Sequence, residues 1–220
     1  MKLIGDERIE AYIESMERNK PEILNIIEKQ ALKEYIPIIK KPTQSLLRFL
    51  IHLNKPENIL EVGAAVGFSS VLMSEYMPPD SRITTIEKMP VRIKKAKENI
   101  KLAEKESKIT LLEGDAGKIL KELAKNPENS YDFIFMDGAK GQYINYLPDI
   151  MKLLSRGGIL ISDNVLQDGD IVESRYGVTR RNRTIHARMR EYLYALTHME
   201  ELDTIILPVG DGVTLSSRVK

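Results

Sequence analysis

Apolar positions recur along the chain with two periods, about 3.6 and about 2 residues, and their alternation outlines the elements. Residues 6–53 carry the helical period throughout. Ile9, Tyr12, Ile13 and Met16 share one face of a first helix, and Pro21 opens a second at a position where a missing N–H is tolerated. A third, at about 43–53, presents Leu46, Leu47, Leu50 and Ile51, and residues 37–42 are the one irregular piece. Ile59, Leu60 and Val62 then form a short apolar run between Asn58 and Gly63, which reads as a buried strand because it is short and punctuated. The helical period returns from Phe68 to Met77. Beyond it, strands at 82–86, 108–112, 131–136 and 158–162 alternate with helices at 90–104, 116–125 and 143–154. Such alternation builds a parallel sheet with helices on both faces. The end breaks the rhythm: a basic helix at about 182–198 precedes β-rich runs at 202–207 and 213–218, joined by Pro208-Val209-Gly210-Asp211-Gly212. That pair reads as a terminal antiparallel hairpin.

The expected architecture is therefore α/β: a Rossmann-like, doubly wound, mostly parallel seven-stranded sheet with a C-terminal antiparallel hairpin. A helical extension over 1–53 precedes a core over 58–220, and 220 residues suit one domain spanning 1–220. The absence of cysteine excludes disulfides, thiolate metal sites and a cysteine nucleophile. With 33 Lys and Arg against 32 Asp and Glu, a nucleic-acid partner has to be held by a local patch. The N-terminus, Met-Lys-Leu-Ile-Gly-Asp-Glu-Arg, has no apolar core of signal-peptide length, and no stretch approaches about 20 apolar residues. A cytoplasmic protein without a membrane partner is expected.

Between the first strand and its helix, residues 63–67 make a tight turn in which missing side chains let a ligand lie against the backbone. A dinucleotide fingerprint has three glycines, whereas this turn has Gly63 and Gly67, with Glu61 directed toward it. A carboxylate there repels phosphate and suits a cation such as the sulfonium and ammonium groups of S-adenosylmethionine. Glycine turns after strands are common, so an ordinary buried strand and turn remain equally open at this point.

In an open parallel sheet, ligands sit beyond the carboxyl ends of the strands, and here an acid closes every parallel strand: Glu61, Glu87, Glu113 with Asp115, Asp137, and Asp163 with Asn164. Asp115 stands just ahead of a helix and is well placed as a cap. Glu87, about 20 residues beyond the turn, suits ribose hydroxyls. If the fourth and fifth strands are neighbours, their ends lie about 5 Å apart, and Asp137, Asp163 and Asn164 converge as three oxygen ligands. Oxygen-only ligation suits Mg²⁺ or another hard divalent cation rather than zinc. Lys140, three residues past Asp137, is the candidate general base, its charged form disfavoured beside a cation and a sulfonium. A lone Asp is more often a turn residue and a lone Lys a solvated charge; their combination at two strand ends favours a site.

Leu60-Glu61-Val62-Gly63-Ala64-Ala65-Val66-Gly67-Phe68-Ser69, Phe135-Met136-Asp137-Gly138-Ala139-Lys140, Ser162-Asp163-Asn164-Val165 and the 207–212 turn together resemble class I S-adenosylmethionine-dependent O-methyltransferases of the catechol O-methyltransferase type. The resemblance runs from about Ile39 to the C-terminus. It implies that Asp137, Asp163 and Asn164 hold the metal and that Lys140 is the base. It implies that Gly63 and Ser69 hold the methionine part, Glu87 the ribose, Asp115 and Ala116 the adenine, and that the backbone of Ile39 touches the cofactor. Gly138-Ala139 replaces the bulky His-Trp of the animal catechol enzymes, which implies a larger or differently shaped acceptor.

Residues 174–190 contain six arginines, at 175, 180, 181, 183, 188 and 190, and no acid. A solvated helix face competes with RNA binding here, since Ile185, Met189, Tyr192, Leu193 and Leu196 make a helical stripe. Arginine is the residue for phosphate contact and base stacking, and Arg175, Arg180, Arg181 and Arg183 are the candidate RNA contacts. Tyr143, Tyr146 and Tyr176 are candidate stacking residues that suit a core equally well. Residues 168–175 running into 179–190 resemble the bacterial tRNA 5-hydroxyuridine methyltransferases, which implies a tRNA anticodon loop as partner and the wobble hydroxyuridine as acceptor. A small catechol-like or phenylpropanoid acceptor is the alternative, and a noncatalytic RNA-binding module is a third reading that the intact Asp137, Lys140, Asp163 and Asn164 set opposes. The apolar helical prefix also leads to the expectation of a homodimer.

Overall fold

The computed structural model describes residues 7–220, so the helix expected from Asp6 lies at its first position outside the described residues. Seven strands form one sheet: β1 (Asn58–Val62), β2 (Arg82–Glu87), β3 (Ile109–Glu113), β4 (Tyr131–Met136), β5 (Leu154–Ser162), β6 (Leu202–Leu207) and β7 (Val213–Arg218). Their order is β3-β2-β1-β4-β5-β7-β6, parallel through β5, with β7 antiparallel to both β5 and β6. The strand order reverses between β1 and β4, and such a switch point opens a crevice at the carboxyl ends.

Eight helices accompany the sheet: α1 (Glu7–Ser15), α2 (Glu22–Lys33), α3 (Lys41–Asn54), α4 (Phe68–Tyr76), α5 (Pro90–Leu102), α6 (Ala116–Leu123), α7 (Tyr143–Leu153) and α8 (Arg183–His198). Two cores result. Ile59, Phe133 and Phe135 face α2, α3 and α4 through Leu24, Leu47 and Phe68, while Leu60, Ile134 and Met136 face α7 and α8 through Tyr143, Met189 and Tyr192. Burial on both faces explains why β1 is a nearly continuous apolar run rather than an alternating one.

The helical prefix departs from expectation in one way: residues 16–21 interrupt it as well as the stretch before α3. Its helices α2 and α3 pack into the first core. Apolar side chains remain exposed on the prefix, among them Tyr12 and Ile13 of α1, 63 % and 55 % exposed, and Phe49 and Leu53 of α3, 62 % and 65 % exposed. β5 begins at Leu154, directly after α7, and its pairing with β4 shifts register between Tyr131 and Phe133. Short 3₁₀ turns at Lys140–Gln142 and Gln167–Val172, unmarked by any apolar period, complete the chain. Among the described residues no helix is long and apolar enough to cross a membrane.

Candidate active site

The ends of β1, β4 and β5 are laced by backbone hydrogen bonds. The Asp137 N–H donates to the Val62 carbonyl at 3.0 Å, and the Asp163 N–H donates to the Met136 carbonyl at 2.9 Å. Gly63 makes the closure possible: its φ is +109°, and a Cβ there would lie 2.4 Å from the Asp137 carbonyl oxygen. The expected adjacency of the fourth and fifth strands is therefore present, with Met136 paired to Ser162 immediately before the two aspartates.

Asp163 is buried, 2 % exposed, and its Oδ1 has no hydrogen-bond partner in the protein. Burial raises its carboxyl pKa to about 6, with Asp211 adding to the rise and the Asn164 N–H, Lys140 and Lys40 opposing it. Asp137 is raised well above the usual carboxylate range, first by desolvation, then by the charges of Asp163 and Glu61, against the pull of Lys140. Two carboxylates with raised pKa values, one opposing the other's ionisation and carrying an orphaned buried oxygen, make a candidate place for a cation. Among the described residues no cluster of three His, Cys, Asp or Glu side chains forms; the Asn164 amide is a further oxygen that could join the two carboxylates. Its Nδ2 donates to Asp211 Oδ2 at 2.9 Å, which turns Oδ1 to the other side. Beneath the pair, the buried Tyr143 hydroxyl donates toward the Met136 and Asp163 carbonyls at 3.1 and 3.3 Å. Tyr143 is therefore a core residue and not a stacking platform, because its ring is closed in against Tyr192.

A cleft of about 230 Å³ opens beside these strand ends, walled by Gly63, Ala65, Glu87, Asp115, Ala116, Asp137, Gly138 and Tyr146 among others. Glu87 shapes the turn. One carboxylate oxygen accepts from the Ala65 N–H at 2.9 Å and the other from the Lys88 and Met89 N–H groups at 2.8 and 2.9 Å. Asp115 caps α6 by accepting from the Lys118 N–H, as its position ahead of a helix suggested. Tyr146 joins the wall of the cleft.

Three expected cofactor residues stand elsewhere. Glu61 does not point toward the glycine turn: its side chain goes under α4, where Oε2 accepts from the Ser70 and Thr85 hydroxyls. It is fully buried and its pKa is raised by desolvation, with the Ser69, Ser70 and Thr85 hydroxyls opposing and Glu87 reinforcing; Oε1 has no protein partner. Ser69 is buried in the first turn of α4 and is not on the cleft wall. Ile39 lines a separate cavity with Lys40, Gln44 and Gly210, its carbonyl accepting from Gln44 Nε2 at 2.9 Å.

The arginine segment divides. Arg188 donates to the Gly141 carbonyl at 3.0 Å and Arg190 to the Glu173 carbonyl at 3.5 Å, so both support the fold. Arg175, Arg180 and Arg181 are exposed, and Arg183 lies over the ring of Tyr176, itself 85 % exposed. Sequence reasoning missed Asp211 and Lys40 as site residues, since they meet across 171 positions.

Comparison with known proteins gives this arrangement its class. The chain belongs to the O-methyltransferase family, whose model matches residues 14–219, and is an S-adenosylmethionine-dependent O-methyltransferase. It is 32 % identical over 177 residues to a caffeoyl-CoA O-methyltransferase of Medicago sativa, covering 79 % of this chain and 72 % of that one. A Podospora anserina methyltransferase solved with S-adenosylhomocysteine superposes with a TM-score of 0.85 at 27 % identity, covering 96 % and 94 % of the two chains. The Streptomyces achromogenes O-methyltransferase TomG, solved with S-adenosylmethionine, shares the fold at a TM-score of 0.84, 23 % identity and coverage of 99 % and 100 %.

Proposed function

We propose that this enzyme methylates the 5-hydroxyl of 5-hydroxyuridine at the wobble position of tRNA, giving 5-methoxyuridine. The observation that carries the reading is the exposed arginine segment, where Arg175, Arg180 and Arg181 stand exposed near Tyr176 in sequence and residues 174–190 contain no acid. Phosphate contacts hold an RNA in register while aromatic and guanidinium planes take a splayed base. The 5-hydroxyl and 4-carbonyl of the modified base are adjacent oxygens, as in a catechol.

The donor is S-adenosylmethionine in the cleft at the β1–β4 switch. Glu87 is placed for the ribose hydroxyls, Asp115 and Ala116 for the adenine, and Gly63 lets the methionine part lie against the backbone. Glu61 lies buried under α4 with Oε1 unpartnered, and burial raises its pKa, favouring the neutral carboxyl. Asp137, Asp163 and Asn164 fit a hard divalent cation such as Mg²⁺, because Asp163 Oδ1 lacks a partner and the charge of Asp163 opposes the ionisation of Asp137. When bound, that cation lowers the pKa of the acceptor hydroxyl and fixes its direction. Lys140 takes the hydroxyl proton; the oxygen then attacks the sulfonium methyl in line, the C–S bond breaking as the O–C bond forms and leaving neutral S-adenosylhomocysteine. The protein works as a cytoplasmic homodimer in this reading, the exposed face of α1 being available to a second copy.

A small catechol-like acceptor is the second reading, favoured by the identity to a caffeoyl-CoA O-methyltransferase. Transfer of labelled methyl to an anticodon stem-loop carrying 5-hydroxyuridine, against a caffeoyl thioester, separates the two. Faster transfer per enzyme to the stem-loop is expected. Turnover of the thioester alone overturns the RNA reading.

A further inference from the structure

The turn between β6 and β7 reaches the end of β5 and clasps it. The Val165 N–H donates to the Gly212 carbonyl at 3.0 Å and the Leu166 N–H to the Asp211 carbonyl at 3.1 Å. Gly212 has a φ of +87°, and a Cβ there would meet the Leu166 side chain at 2.2 Å, so the two segments are pressed together. Asn164 stands at the head of this clasp in a left-handed conformation, φ 58°, that few non-glycine residues adopt. An amide in such a place has two faces, and only its oxygen can ligate a cation. Asp211 decides between them: its Oδ2 accepts from Asn164 Nδ2 at 2.9 Å, which commits the nitrogen and leaves Oδ1 facing away.

The other oxygen of Asp211 accepts from Lys40, whose neighbour Ile39 begins the approach to α3. That approach is itself fastened. Gln44 donates to the Ile39 carbonyl at 2.9 Å and to Glu28 at 3.0 Å, and accepts from Lys20 at 2.8 Å. The same turn sits against the start of α3, where a Cβ on Gly210 would lie 2.6 Å from the Thr43 hydroxyl. A chain of polar contacts thus runs from the segment before α3, through Asp211, to Asn164.

We propose that Asp211 is a positioning residue: through one oxygen it orients the Asn164 amide toward the cation, and through the other, held by Lys40, it is itself kept in place. This rests on the reading of Asp137, Asp163 and Asn164 as cation ligands. A partner that fixes the orientation of a ligand typically contributes about 10- to 100-fold to metal affinity.

Calorimetric titration of Mn²⁺ into the full chain tests this without requiring turnover. Asp211→Ala is expected to weaken Mn²⁺ about 10-fold or more. Asp211→Asn keeps an acceptor for Asn164 and should restore most of the affinity, a rescue that a merely structural role of the turn would not produce. Lys40→Ala leaves the Asn164 contact in place and should weaken Mn²⁺ less than Asp211→Ala. If the wild-type chain binds no Mn²⁺, the ligand reading itself fails. If it binds Mn²⁺ and Asp211→Ala keeps its affinity, the positioning role is overturned. Should Asp211→Ala not fold, the near-isosteric Asp211→Leu, which has no acceptor, takes its place, and an affinity equal to that of Asp211→Asn overturns the role.

Discussion

The ends of β4 and β5 and the segment at 174–190 are both densely charged, yet they are built on opposite terms. At the strand ends, Asp163 is 2 % exposed and its backbone and neighbours are fixed by β4, by Tyr143 and by the 208–212 turn. In the arginine segment, Tyr176 is 85 % exposed and Arg175, Arg180 and Arg181 stand in solvent. Burying a charge is costly unless a partner compensates or a proton neutralises it, so the first region favours a bound cation, whereas Arg175, Arg180 and Arg181 of the second can change without disturbing the fold. On the proposed reading, chemistry and acceptor choice are separable: the aspartate pair would carry the reaction and the exposed arginines would choose the molecule.

The largest effect expected is at the buried pair. Asp163→Ala, or excess EDTA with the wild type, should end methyl transfer to every acceptor while calorimetry shows S-adenosylhomocysteine still bound. Full turnover in EDTA would break the cation reading and with it the contrast. Next in size is Lys140→Ala, expected to lower kcat by about 10²–10⁴, the range for a lost general base, with a smaller change in KM. A pH–rate profile and rate shared with the wild type would reduce Lys140 to holding the acceptor in place.

The pH dependence follows from the direction of the Asp163 shift. Its carboxyl ionises near 6 in the folded chain against an ordinary value of 3.8, so the folded state binds more protons in that window. Stability of the cation-free chain should therefore fall as pH rises from about 4 to about 6. Cation affinity runs the other way, rising by about tenfold per pH unit up to about 6 as the proton is displaced, and Asp137, raised as well, adds to the rise. Mn²⁺ titrations between pH 5 and 8, paired with thermal melts, read both slopes.

The smallest effect is confined to the exposed region. Replacing Arg175, Arg180 and Arg181 together by alanine should weaken tRNA binding and reduce the slope of log K against log salt by about 0.7–0.9 for each phosphate no longer neutralised. Methylation of a free catechol, where measurable, should be spared. Unchanged tRNA binding across a salt series would show a solvated face and sharpen the case for a small acceptor.

What was legible in the chain follows the same division. Asp137 and Asp163 were readable because each closes an apolar strand, and strand ends in a parallel sheet converge whatever the intervening helices do. The hairpin at 202–218 was readable from its glycine turn. Glu61 was misplaced because β1 is buried on both faces, and a continuous apolar run carries no alternation to say which face its one carboxylate takes. The break at 16–21 was hidden because its apolar residues fall in step with the helix before it. Lys40 and Asp211 meet across 171 positions, and nothing local marks either as the partner of the other. Of the six arginines, only the packing of α8 shows that Arg188 and Arg190 are spent on the Gly141 and Glu173 carbonyls.

The most direct measurement of acceptor choice is mass spectrometry of wobble nucleosides in tRNA from cells with and without this protein. Loss of 5-methoxyuridine with accumulation of 5-hydroxyuridine in its absence, restored by the wild type and not by Asp163→Ala, is the predicted result. An unchanged nucleoside profile would contradict the RNA reading and return the enzyme to a small catechol-like acceptor.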